Sequence, residues 1–185
     1  MKQLLIIAGP SGSGKTTLIN QIKQSKSSIY HQLEIDTSTI FEDIIFREIE
    51  SKKLNLSDST ILHYDFFEQF IQNQNFHLLA DLVKGFDRVV LITLLTSSNI
   101  LKKRIQARLI KTIGLMLLKP SKFLGKVKFY KNQYPKYQAY KDNQNLSNLY
   151  DTWFEFCQFL DVDNHWLVET NNQSEYDFTL LPRQN

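Results

Sequence analysis

Nine residues near the amino terminus, Gly9-Pro10-Ser11-Gly12-Ser13-Gly14-Lys15-Thr16-Thr17, have the types and spacing that phosphate chemistry needs. They fill every position of the pattern G-x-x-x-x-G-K-[ST] and come directly after the apolar run Leu4 to Ala8. Glycines let a backbone close around phosphate oxygens, successive N–H groups point into the turn, and the helix that starts there adds the positive end of its dipole. The expected cradle is Gly9, Ser11, Gly12, Ser13, Gly14, Lys15, Thr16 and Thr17, with Lys15 reaching the β- and γ-phosphates of ATP and Thr16 holding Mg²⁺. A glycine-rich structural turn is the bland alternative.

Phosphoryl transfer also needs a second metal-organising oxygen, positive charge over the transferring group, and something to orient the acceptor. Asp65 closes the apolar run Ile61-Leu62-His63-Tyr64 and is placed to reach Mg²⁺ beside Thr16, or to cap the segment that begins at Phe66. Asp36 closes a second apolar run and could accept a proton from an acceptor hydroxyl, or serve as a turn residue before Thr37-Ser38-Thr39. Arg104 and Arg108 lie one helical turn apart and could fold over the γ-phosphate, with solvated helix surface as the rival. The four histidines show no metal-ligand spacing and no Ser-His-Asp logic, so structural roles are expected for them. Phe129, Tyr130, Tyr134, Tyr137 and Tyr140, interleaved with lysines, could stack nucleic-acid bases; helical spacing favours packing, so nucleic acid is possible but not favoured as a partner.

The elements that must position these groups alternate. Strand one is Leu4 to Ala8, and helix one runs from Lys15 to Lys26. Ile29 to Asp36 reads as strand two by partial alternation, and Ile40, Phe41, Ile44, Ile45 and Ile49 read as a helix from Ser38 to Lys53. Ser59 to Asp65 is strand three, and Phe66 to Val83 supplies one or two helices. Arg88 to Leu95 has no polar alternation and predicts a strand buried on both faces. Ser97 or Ser98 caps a helix that turns Leu101, Ile105, Leu109 and Ile110 inward. Gly114, Pro120, Gly125 and Pro135 are expected to interrupt the segment beyond Lys111, Leu146 to Leu160 is an amphipathic helix, and Trp166 to Thr170 is the last strand. The fold class expected is α/β: a three-layer sandwich on a mostly parallel five-stranded sheet, one domain over residues 1–185 with 97–160 as a helical lid or insertion.

The 185 residues, 42% hydrophobic, fit one globular core. The single cysteine, Cys157, cannot form an internal disulfide and sits in an aromatic run, where a small buried apolar role is expected. No run approaches a membrane span and no secretory signal opens the chain, so a soluble cytoplasmic protein is expected. The net charge of +3 hides a segregation: Arg88 to Lys141 holds thirteen Lys or Arg and no Asp or Glu, leaving nine basic against nineteen acidic residues elsewhere. Such a stretch suits an anionic partner, or is a solvated basic face.

The loop Gly9 to Thr17 resembles the Walker A of the P-loop kinases that act on nucleotides, nucleosides and small metabolites. The resemblance implies strand order 2-3-1-4-5, a basic lid after strand four with Arg104 and Arg108 as its arginines, Asp36 as an acceptor-site acid after strand two, and Asn171 to Ser174 as the adenine-side loop. Val89 to Leu95 lacks a terminal Asp, which leaves Asp65 as the Walker B acid. The function expected is therefore an ATP- and Mg²⁺-dependent kinase acting on a hydroxyl of a small or anionic acceptor. The alternative is a nucleotide-driven switch whose basic region binds RNA, an anionic membrane or a protein.

Overall fold

Burial begins with the strands the sequence makes most apolar. In the computed structural model, which describes residues 1–24, 26–36, 38–46, 48–49, 56–68, 76–118, 123–171 and 178–182, the described strands form one sheet. They are β1 (Gln3–Ala8), β2 (Glu42–Ile45), β3 (Ser59–Tyr64), β4 (Arg88–Leu95), β5 (Asn164–Glu169) and β6 (Phe178–Leu180), in the spatial order β2-β3-β1-β4-β5-β6. All neighbours pair parallel except β6, which runs antiparallel to β5. The fold is mixed α/β on a mostly parallel sheet, with a sixth, antiparallel strand added to the five expected.

The chain forms two compact units. The first, residues 1–95 and 155–185, contains the sheet with helices α1 (Lys15–Gln24), α2 (Lys26–Gln32) and α3 (Phe76–Val83). On one sheet face Leu5, Ile7, Ile61, Val90, Ile92, Leu94 and Val168 pack with Leu18, Ile19 and Ile22 of α1, Tyr30 of α2 and Leu33 just beyond it. The second unit, residues 96–154, is helical: α4 (Ser98–Leu118), α5 (Phe123–Lys141) and most of α6 (Asn143–Cys157). Ser98 Oγ donates to Tyr140 O at 2.6 Å, tying the start of α4 to the end of α5, and Thr96 N donates to Tyr150 Oη at 3.0 Å.

Three sequence expectations change here. Residues 26–32 are α2, not a strand, because Ile29, Tyr30 and Leu33 share a helical face rather than alternating across a sheet. The helix end carries no glycine signal, because the left-handed cap residue is Glu34, at φ 55°, where glycine is usual. Ile35 N donates to Tyr30 O at 2.7 Å and Glu34 N to His31 O at 3.1 Å, the paired bonds of a Schellman cap. Strand two is therefore β2, inside the segment read as a helix; Asp36 lies in the loop before it, and residues 47 and 50–53 of that segment fall outside the described residues. Ile110 points outward at 62% exposed, while Gly114, Gly125 and Pro135 lie within α4 and α5 rather than breaking them; Pro120 is outside the described residues.

Cys157 is buried, and burial pushes its thiol up, so the small apolar role fits. His165 is half-buried, with Nε2 against Thr93 Oγ1 at 2.8 Å, and desolvation lowers its pKa from 6.5 to about 4. The unfolded chain takes up this proton below 6.5 and the folded chain only near 4, so the stability contribution is whole above 6.5 and is lost as pH falls toward 4.

The loss from His165 amounts to about 3 kcal/mol at 1.36 per pKa unit, so the urea midpoint of the wild type should fall between pH 6.5 and 4 by more than that of His165→Gln; equal falls would remove His165 from the account. Glu34→Gly should raise stability by about 1 kcal/mol by relieving the left-handed strain, read from the same denaturant curves.

Candidate functional site

Register builds the site. Ala8 pairs with Tyr64 and with Thr93, so β1 ends level with β3 and inside β4, and Gly9 N donates to Tyr64 O at 3.1 Å as the chain leaves the sheet. The loop then turns through Gly12 at φ 91° and Gly14 at φ 105°, conformations a side chain resists. Ser13 N donates to Pro10 O at 3.1 Å, and Leu18 N to Gly14 O at 3.0 Å opens α1. Gly9 has no room for a Cβ: one built there lies 2.5 Å from Ser13 Oγ and 3.2 Å from Leu94 Cβ.

Lys15 folds back over this loop. Its Nζ donates to Gly9 O at 2.6 Å and Pro10 O at 3.0 Å, and Asp65 Oδ2 stands 4.0 Å away. Both side chains are mostly shielded from water, which strengthens their attraction relative to an exposed pair. Asp65 also accepts from Glu68 N through Oδ1 at 3.3 Å, the capping bond, while its Oδ2 faces Lys15. Thr16 and Thr17 are exposed at the first turn of α1. Thr16 and Asp65 offer hard oxygen donors of the kind Mg²⁺ takes; among the described residues no cluster of three His, Cys, Asp or Glu is arranged for a metal.

The other candidates fall elsewhere. Asp36 does not close a strand: it is exposed, accepts from Ser38 N at 2.8 Å, and that hydrogen bond holds its carboxyl below the ordinary range. Arg104, half-buried, and Arg108, exposed, lie on α4 in the second unit. Of the loop Asn171 to Ser174, residues 172–174 are outside the described residues.

Sequence reasoning missed a charged cluster across α1, β2 and β3. His63 Nε2 meets Asp43 Oδ1 at 2.6 Å, and Lys23 Nζ donates to Asp43 Oδ2 at 2.8 Å. Burial raises the Asp43 carboxyl, but Lys23 and His63 outweigh it and leave the pKa below its ordinary value. An ionised carboxylate only accepts, so Nε2 carries the proton of this bond. Nothing local in the sequence signals it, because Lys23, Asp43 and His63 come from three elements that the pairing of β2 with β3 and the packing of α1 bring together.

No protein-family profile matches the chain, and no characterised protein matches it in sequence. Among solved structures, it aligns with polyphosphate kinase 2 from Arthrobacter aurescens TC1 over 91% of its own length, at 14% identity and a TM-score of 0.47. The chain spans 61% of the length of that enzyme. No helix among the described residues is long and apolar enough to cross a membrane.

The crowding at Gly9 makes a direct test. Gly9→Ala should cost about 1–3 kcal/mol of stability through overpacking, and adding Ser13→Ala should restore part of it in denaturant titrations; no loss in the single variant would show that the loop has room.

Proposed function

We propose that this chain is a P-loop phosphotransferase that uses ATP and Mg²⁺ and moves the γ-phosphoryl to a hydroxyl of a small or anionic acceptor. The observation that carries the reading is Lys15, held over the loop by two carbonyls with Asp65 at 4.0 Å and Thr16 exposed one residue further on. A lysine on neutral carbonyl oxygens has a stronger partner available in phosphate, because charge-assisted bonds are roughly twice as strong as neutral ones. On binding, Nζ exchanges Gly9 O and Pro10 O for β- and γ-oxygens, while the loop N–H groups and the start of α1 face the same charge.

Thr16 and Asp65 would hold the Mg²⁺, which would neutralise negative charge on the nucleotide phosphates. Asp65 keeps that duty compatible with capping, since Oδ1 and Oδ2 face different partners. Little covalent work is left to the protein in phosphoryl transfer; position and charge dominate. Arg104 and Arg108 are assigned to the charge on the transferring group. Asp36, with its carboxyl held low, suits orienting the acceptor hydroxyl better than taking its proton.

Calorimetric titration with ATP, with and without Mg²⁺, tests the assignment. Lys15→Ala should weaken binding about 10- to 100-fold, the equivalent of one charge-assisted hydrogen bond, and Asp65→Asn should lessen the gain that Mg²⁺ gives. Undiminished ATP affinity in Lys15→Ala would refute the phosphate-loop assignment. ADP formation that depends on an added hydroxyl compound establishes the kinase and names its acceptor class; slow hydrolysis indifferent to every acceptor rules out transfer.

A further inference from the structure

α4 carries an apolar row that the core does not use. It buries Ser98, Leu101, Ile105, Leu109 and Thr112, three or four residues apart along one side. With 3.6 residues per turn, the opposite side presents Lys103, Ala107, Ile110 and Gly114, with Ile113 beside them. Ile110 is 62% and Ile113 45% exposed, and a Cβ built on Gly114 meets nothing within 4 Å. In sequence the helix then closes with Leu115-Met116-Leu117-Leu118. Lys111 stands on the flank of the row, also exposed. The second unit as a whole holds twelve Lys or Arg against two acids, Asp142 and Asp151.

We propose that this outward side of α4 docks on an acidic lipid membrane, its isoleucines entering the boundary between headgroups and acyl chains and its lysines meeting the lipid phosphates. An exposed aliphatic row flanked by cations, on a helix that is not long and apolar enough to span, suits binding in the membrane plane. A second copy of the chain fits worse, because the same face would set Lys103 and Lys111 against their own kind. Single-stranded RNA also fits worse, because its bases seek aromatic platforms and this row is aliphatic. The proposal is independent of the phosphate chemistry at Lys15.

Co-sedimentation of the full chain with vesicles of phosphatidylcholine alone, and of phosphatidylcholine mixed with phosphatidylserine, tests it at low and raised salt. Binding should require phosphatidylserine and weaken as salt rises. Ile110→Asp with Ile113→Asp should lower partitioning about tenfold or more, as should Lys103→Glu with Lys111→Glu, at about 1 kcal/mol per basic residue near the surface. The melting temperature and ATP affinity of both variants should match wild type. No sedimentation with either vesicle overturns the proposal, as does wild-type partitioning of the isoleucine variant. Binding of a single-stranded RNA in place of vesicles, or a dimer that the isoleucine substitutions dissolve, also overturns it and reassigns the surface.

Discussion

The pairing register of β1 with β3 is the constraint on which the site depends. With Ala8 opposite Tyr64, the next residue of each strand is Gly9 on one side and Asp65 on the other, and Lys15 returns over both. A slip of one residue would turn β3 over, sending the odd-numbered residues Ile61 and His63 to the opposite face and carrying Asp65 away from Lys15. The apolar alternation of Leu5, Ile7 and Ile61 against α1 opposes that slip, so the same contacts that bury the core hold the charged groups in place.

How much of this was legible in the sequence depended on how local the determining forces are. β1, β3 and β4 are short apolar runs whose burial is decided by their own composition, and the glycine-lysine loop announces itself by spacing alone. The exchange of helix and strand between residues 26 and 45 was not legible, because Glu34 stands where a helix stop normally shows glycine and β2 is an edge strand with only Ile44 buried. Ile110 read as core because an apolar residue at helical spacing carries no label for inside or outside. Gly114, Gly125 and Pro135 read as breaks because propensity is a weak prior that long helices override. Within the candidate site, Lys15, Thr16 and Asp65 were legible; the meeting of Lys23, Asp43 and His63 was not, since it joins three elements through pairings that no local pattern specifies.

Charge divides between the two units as sharply as secondary structure does. The helical unit is strongly basic, whereas the rest of the chain carries ten Lys or Arg against seventeen Asp or Glu. Under the proposed function, phosphates would gather around Lys15 by backbone dipoles and one side chain of the sheet unit rather than by a field of exposed lysines. Fixed dipoles hold an anion with little dependence on ionic strength, while a field of exposed lysines is screened within about 10 Å in ordinary salt.

Both borders of the sheet are short. β2 has four residues and places Glu42 and Asp43 on the outermost strand; β6 has three and runs against the direction of the others. A sheet so terminated gives a neighbouring molecule little backbone to pair with, and the carboxylates charge any strand that tries. The chain is thereby protected from edge-to-edge growth into fibres when it is crowded, a property of colloidal behaviour rather than of catalysis that its four apolar central strands would otherwise put at risk.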